Sequence, residues 1–404
     1  MKGFKELGIP ESILVPIRKE NFEEPTEIQR KAIPLVMAGK DVIAGSATGS
    51  GKTLAFGIGM IKGTEPGRGI QSLVLTPTRE LAEQVGKEVR KYSQHKKLKI
   101  AIIYGGVAID PQVQNLRSAD LVIGTPGRML DHVGRGTINL SNVKVMVLDE
   151  ADRLLDMGFI EDVEKIMNEC NKDRQTLLFS ATVEHEVVRI AKRYMKNPVS
   201  VSAESYVDPS KLKQVYYDIP DGLKFSLLVT LMKEESSGLV MVFCNSRATV
   251  DMVAKNLSKE GLDAQAIHGG FSQAKRTRTL ENFNSAKVTV MVCTDVAARG
   301  LHIEGVSHVY NYDIPKEAKQ YVHRIGRTAR AGKEGIAINI LASRDYDNFT
   351  RVLKEFDLKI EKLETPFVKK IQVQVMHRQS RGNQGRGNYG RSNNGGRNNN
   401  WRRR

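Results

Sequence analysis

Residues 46 to 53 read SATGSGKT, set between a strand-like stretch, DVIAG, and an apolar helix-like one, LAFGIGMI. A glycine turn feeding a helix N-terminus aims backbone N–H groups at phosphate, and the helix dipole favours the negative charge. Gly49 and Gly51 let the backbone wrap closely, and Ser46, Ala47, Thr48 and Ser50 complete the cradle. Lys52 reaches the outer phosphates, and the Thr53 hydroxyl is placed to ligate Mg²⁺. The strict phosphate-loop pattern wants glycine six residues before the lysine; Ser46 stands there, with Gly45 one place earlier. The formal match fails by one residue while the chemistry survives. Farther on, VMVLDEAD ends a strand pattern on Asp149 and Glu150. The first carboxylate suits the metal of a nucleoside triphosphate, and the second can polarise an attacking water. YVHRIGRTARAG, in the second half, spaces Arg324, Arg327 and Arg330 three apart, on one side of a helix or turn.

These groups need a frame that brings loops together. DVIAGS, SLVLTP, KIAIIYGG, LVIGTP, VKVMVLD and QTLLFS read as buried strands, each followed by a turn and a helix-like segment. That rhythm predicts an α/β fold with a parallel sheet covered on both faces. GLVMVFCN, DAQAIHGG, VTVMVCTD, SHVYNYD and GIAINIL form a second series, and the polar SAESYVDPSKLKQ lies between them. The halves echo each other: AIIYGG is matched by AQAIHGG, as a duplicated unit would produce. The expected units are residues 1–207 and 213–363, with a separate tail over 366–404. Ligands of such folds sit outside the carboxyl ends of the strands, which makes a cleft between the halves the place to look.

Bulk properties narrow the class. A chain of 404 residues suits two domains, and no run of 18 apolar residues supplies a membrane span. The N-terminal MKGFKELGIPESIL lacks an apolar signal core, so a cytoplasmic location is expected. Cys170, Cys244 and Cys293 are far apart and odd in number, which predicts buried reduced thiols and no disulfide framework. HEVVR at His185 starts like a zinc-protease helix, but Arg189 stands where the second histidine would. From Arg378 onward there are eight arginines and no acid, half of the formal net charge of +16. Arginine alternates there with glycine and asparagine, with Tyr389 and Trp401 interleaved. Such a segment cannot offset its ordering entropy, so a disordered tail that binds RNA or another single strand is expected.

DEAD at Asp149 to Asp152, together with the segments around it in order, resembles the DEAD-box RNA helicases over about residues 4 to 363. FEEPTEIQ, with Phe22 and Gln29, looks like that family's adenine-recognising segment, and Phe4 lies where the family places an upstream aromatic. PTRELA (Pro77, Thr78, Arg79), the Gly105–Gly106 pair and TPGR (Thr125, Arg128) resemble its RNA-backbone contacts. SAT, comprising Ser180, Ala181 and Thr182, resembles the element that couples hydrolysis to strand separation. In the second half, FSQAKR (Gln273, Arg276) and TDVAARG (Thr294, Asp295, Arg299, Gly300) resemble RNA-binding and closure elements.

The resemblance implies two tandem RecA-like domains, an RNA-dependent ATPase using ATP and Mg²⁺, and a monomeric catalytic unit that grips RNA through its backbone. It implies that Arg327 and Arg330 reach the γ-phosphate across the cleft, and that His323 joins them to the first half's catalytic loops. Ala329 stands where glycine is usual, a small-for-small change expected to be tolerated. His302 stands where aspartate is usual, at the element meeting the ribose, and a neutral histidine accepts through only one ring nitrogen. A weaker closed ATP state at lower pH would follow. A DNA translocase on the same halves and a non-catalytic ATP-gated clamp are the alternatives; Lys52, Glu150 and Arg327 argue against the clamp.

Overall fold

The computed structural model describes residues 2–20, 22–46, 50–181, 185–203, 212–234, 238–298, 303, 305–329, 334–356 and 358–374. Of the expected site residues, Ala47, Thr48, Gly49, Thr182, Arg299, Gly300, His302 and Arg330 lie outside that set, as does the expected 366–404 tail from residue 375 on. Residues 366–374, expected to be disordered with it, instead bond to the second half through Ile371 and Gln374.

Each half is built on a seven-stranded parallel sheet. The first comprises β1 (Val42–Gly45), β2 (Ser72–Leu75), β3 (Ile100–Ile103), β4 (Leu121–Gly124), β5 (Val145–Leu148), β6 (Gln175–Ser180) and β7 (Val199–Ser202). The second comprises β8 (Leu212–Asp218), β9 (Leu239–Phe243), β10 (Ala264–Ile267), β11 (Val290–Cys293), β12 (Val306–Asn311), β13 (Gly335–Leu341) and β14 (Glu361–Lys362). The strand orders are β3-β4-β2-β5-β6-β1-β7 and β10-β11-β9-β12-β13-β8-β14. Adding seven to each number of the first order gives the second. The paired YGG and HGG segments therefore follow topologically equivalent strands, β3 and β10, which accounts for the echo in the sequence.

β1, β2, β4, β5 and β11 are buried at every position. Helices on both faces make continuous apolar runs the stable choice for such strands. One core of the first half joins Val42, Val74, Val147 and Phe179 to Phe56, Ile58 and Val85. The opposite face buries Leu73, Val122, Met146 and Leu178 against Val163, Ile166 and Ile190. Cys170 in the first half and Cys244 and Cys293 in the second are free and buried. Among the described residues, no helix is long and apolar enough to cross a membrane.

Phe4 corrects one expectation. It is fully buried, packed with Ile9, Ile13, Ile17 and Ile33, so it belongs to the core rather than to a nucleotide surface. Phe22 is 44% exposed, so of the two rings it is the one available to a ligand.

Candidate active site between the two halves

Strand order decides which loops meet. β6 lies between β5 and β1, so Ser180, its last residue, sits between the DEAD turn and the phosphate loop. Its carbonyl accepts from Ser46 N at 2.8 Å. Its hydroxyl accepts from Asp152 N at 3.1 Å. One buried serine thus ties the triphosphate cradle to the carboxylate turn, and Ala181 follows it at the surface.

Gly51 leads into the helix Lys52–Gly63 with φ +84°, a backbone region that a Cβ disfavours. A side chain there would also collide with the Gln29 amide. Lys52 is buried, and its ammonium donates to the Ser46 carbonyl at 3.2 Å. Ser46 and Ser50 join hydroxyl to hydroxyl, closing the loop on itself. Thr53, also buried, stands in the first turn of the helix.

Gln29 has more to do than its sequence suggests. Thr26 caps the helix Glu27–Met37 in a reciprocal capping box, with Thr26 N donating to Gln29 Oε1 at 2.9 Å. Gln29 Nε2 donates to the Gly51 carbonyl at 3.0 Å, and the Thr26 hydroxyl donates to the Ser50 carbonyl at 2.7 Å. The capping box therefore braces the end of the phosphate loop. What is left for an adenine edge is one N–H and one lone pair of the amide.

Asp149 and Glu150 are both buried, at the carboxyl end of β5. Burial pushes the Asp149 carboxyl up to about 7, against the pull of the Lys52 ammonium. Burial acts the same way on Glu150, but Arg153, Lys52 and Arg327 together outweigh it and hold that carboxyl at about 2. Arg153 pairs with Glu150 at 2.7 Å, both side chains 3% exposed. Glu150 adopts a left-handed backbone, φ 51° and ψ 52°, which costs a non-glycine residue on the order of 1 kcal/mol. A buried carboxylate raised by desolvation and a buried hydroxyl at a helix start are oxygen donors of the kind that suit a hard cation. Asp149 and Thr53 fit Mg²⁺ on that ground. No group of three histidine, cysteine or acidic side chains suited to a metal occurs among the described residues.

The RNA-type loops of the first half pack on one another. Thr78 caps the helix Arg79–Tyr92 through Leu81 N at 3.3 Å, with Pro77 just ahead of it. A Cβ added to Gly106, which has φ +80°, would strike the Arg79 guanidinium. Arg128 donates to the Val107 carbonyl at 3.1 Å and pairs with Asp131 at 3.6 Å. Thr125 precedes its helix, Pro126–Gly134, and Thr125 N donates to the Ile103 carbonyl at 3.1 Å. Gln112, which the sequence did not single out, brackets the same turn: its amide donates to the Tyr104 carbonyl at 3.2 Å and the Ala108 carbonyl at 3.3 Å. Two carbonyl partners fix which end of the amide is nitrogen. Gly105 and Gly106 are therefore held from both sides.

In the second half Arg324 is a hub. It is 1% exposed and forks onto Asp295 at 2.6 and 2.7 Å. It also donates to Asn311 Oδ1, Asn245 Oδ1 and the Asp313 carbonyl. All five N–H bonds are used, so Arg324 fixes the loop that carries Thr294 and Asp295 and is not a finger. Its neighbours His323 and Arg327 line one small cavity with Phe243, Asp295, Ala298 and Gln320. Arg327 is buried, yet its charge reaches Glu150 in the other half. Ala329 sits at φ +54°, so the alanine in place of glycine is strained, by about 1 kcal/mol. Arg276 and Gln273 both cross the cleft to Glu80, each at 3.0 Å.

Two tandem RecA-like sheets, with a phosphate loop and a buried carboxylate turn on one and a buried arginine on the other whose charge acts on that turn, define the class: an ATP-dependent helicase core. The chain belongs to the DEAD-box ATP-dependent RNA helicase family. Residues 26–190 match the DEAD/DEAH box helicase family, and residues 223–332 match the helicase conserved C-terminal domain. The DEAD-box ATP-dependent RNA helicase CshA of Bacillus cereus is 42% identical over 370 residues, covering 91% of this chain and 70% of the relative. A probable ATP-dependent RNA helicase of Methanocaldococcus jannaschii is 44% identical, covering 90% of this chain and 98% of that one. Among solved structures, S. cerevisiae Dbp5 bound to RNA and ADP BeF3 is 31% identical, with a TM-score of 0.82 over 90% of this chain and 96% of that one. A DEAD box protein from Methanococcus jannaschii reaches a TM-score of only 0.55 at 43% identity, covering 90% of this chain and 99% of that one. The better superposition at lower identity says that the halves are arranged much as in the nucleotide- and RNA-bound relative.

Proposed function

We propose that this chain is an RNA-dependent ATPase that opens RNA duplexes locally, by closing its two halves around ATP and one strand, and that it serves as an RNA chaperone or in ribosome assembly. The observation that carries the reading is that the halves meet: Arg276 and Gln273 of the second half both bond Glu80 of the first, and the buried Arg327 is among the cations that lower the Glu150 carboxyl. A base on one half and a finger on the other act together only when the halves meet.

Each residue has a task in that cycle. The phosphate loop and Lys52 hold the triphosphate, Phe22 and Gln29 face the adenine, and Asp149 with Thr53 would hold Mg²⁺. The cation would neutralise charge on the phosphate oxygens. Glu150, ionised by its cationic neighbours, orients and deprotonates the attacking water. Arg327, with Arg330, stabilises charge as the γ-phosphate leaves. The loops at Gly105–Gly106, Arg79, Thr125 and Arg128 contact one strand through its backbone, without reading sequence. Closure bends that strand, its partner is shed, and product release reopens the cleft. Through Ser180, motion at the phosphate loop is felt at the DEAD turn. The catalytic unit is a monomer, and a cytoplasmic location fits its chemistry. Comparing ATPase stimulation by RNA and by single-stranded DNA of equal length tests the reading; equal stimulation would make it a general translocase.

A further inference from the structure

After the short strand β14 the chain does not leave the second half. Leu363 N donates to the Tyr216 carbonyl at 2.9 Å, and the Thr365 hydroxyl donates to the Asp218 carbonyl at 3.0 Å. Ile371 N then donates to the Ser226 hydroxyl at 3.0 Å. At the far end, Asn256 clamps Gln374 twice, accepting from its N–H at 3.0 Å and donating to its carbonyl at 3.2 Å. Leu363, Val368, Ile371 and Val373 turn inward onto the core. Residues 363–374 thus form an extended strap, stitched down at four places.

Its outer face has an unusual composition. Phe367 is 95% exposed; the next most exposed large apolar side chain among the described residues, Val296, is at 60%. Burying a phenylalanine is worth about 1.5–3 kcal/mol, and the strap turns the smaller Val368 inward instead. Lys369 and Lys370, also exposed, follow directly. From Thr365 to the C-terminus there are two lysines, eight arginines and no acidic residue. The cationic run therefore starts on the strap, with its first aromatic at Phe367.

An exposed ring beside ammonium groups is the arrangement that holds a single strand of nucleic acid, by base stacking and phosphate contact. We propose that the outer face of residues 365–374 is an accessory binding surface for single-stranded RNA, with Phe367 stacking on a base and Lys369 and Lys370 meeting phosphates. The proposal rests on the reading of the chain as an RNA helicase. The surface is separate from the cleft. Phe367 follows the end of β8, next to the β14 edge, whereas the helix Gln273–Asn284, whose Gln273 and Arg276 meet Glu80 across the cleft, follows β10 at the other edge. Six strand spacings, on the order of 30 Å, separate those edges. A strand held at both places gives the protein a second grip on RNA that stays when the cleft opens.

The test uses the full chain and fluorescence anisotropy, with single-stranded RNA of about 30 nucleotides and of about 4, the shorter too small to span both surfaces. Phe367→Ala should weaken binding of the longer RNA roughly 5-fold or more and leave the shorter one unchanged. Replacing Lys369 and Lys370 by glutamine should lower the salt-dependence slope for the longer RNA by about 1.4. Maximal ATPase with the short RNA should equal wild type in both variants, as should the melting temperature. Unchanged affinity for the longer RNA in Phe367→Ala, or an equal loss with both RNAs, would overturn the proposal. Absence of RNA-stimulated ATPase in the wild-type chain would instead overturn the helicase reading.

Discussion

Glu80 and Arg276, on opposite halves of the molecule, form an ion pair at 3.0 Å, their side chains 9% and 15% exposed. Glu80 also accepts from Gln273 at 3.0 Å, and it lies one residue from Arg79, which packs on the Gly106 turn. One carboxylate therefore joins the second half to the loops proposed to meet RNA in the first. Removing one partner of a buried charge pair typically costs 2–5 kcal/mol, mostly because the other charge is stranded. Arg276→Ala should lower RNA-stimulated kcat/KM by roughly 10-fold or more. The exchange Glu80→Arg with Arg276→Glu should restore part of that loss. If the two single changes simply add in the double variant, the pair does not couple the halves.

Glu150 is ionised well below neutral pH because Arg153, Lys52 and Arg327 outweigh its burial. Glu150→Gln keeps the shape and removes the base. Turnover should fall by about 10²–10⁴ while ATP and RNA still bind. Turnover near the wild-type rate would assign the base elsewhere.

Gln112 brackets the glycine turn without facing solvent. Gln112→Ala should raise the RNA concentration for half-maximal ATPase by roughly 5-fold, since two hydrogen bonds of about 1 kcal/mol each hold the turn. Saturating RNA should restore the maximal rate. Gln112→Glu, whose carboxylate cannot donate to the two carbonyls, should not rescue. A fall in the maximal rate with unchanged RNA dependence would mean the turn has no part in RNA binding.

His132 reports on stability. Its Nδ1 meets the Thr137 hydroxyl at 2.8 Å while that hydroxyl donates to the His132 carbonyl, so Nδ1 carries the proton. Nε2 is buried without a partner. Burial, helped by the Arg128 charge, pushes the imidazole below its usual value of 6.5. In the window between the folded and the ordinary value, the unfolded chain binds more protons, so stability rises with pH and is lost on acidification. The slope from one such group is at most about 1.4 kcal/mol per pH unit. His132→Gln should flatten the melting temperature between pH 7 and pH 5.5 relative to wild type; parallel curves would show that His132 is not the group responsible.

Much of this was legible in the residues. Alternation of apolar runs with helical stretches marked both sheets, because parallel strands covered on both faces must be apolar throughout. The phosphate loop and the DEAD turn were legible because each is local, a few residues whose spacing is their chemistry. What escaped depends on contacts far apart in the chain. Phe4 looked like a nucleotide contact, but only the packed core shows where its ring goes. Arg276 gave no sign of Glu80, nor Arg324 of its five acceptors. Gln112 was one glutamine among many until the turn it braces was in place.

The central claim is that the hydrolytic site is complete only when the second half supplies Arg327. The direct measurement is single-turnover ATP hydrolysis by Arg327→Ala at saturating ATP and RNA, alongside strand release from a short RNA duplex. An arginine finger is worth about 10³–10⁵ in rate. ATP and RNA should still bind while hydrolysis falls by about 10³ or more and strand release loses its turnover. Hydrolysis within a few-fold of wild type would contradict it, because the first half would then hold a finished active site of its own.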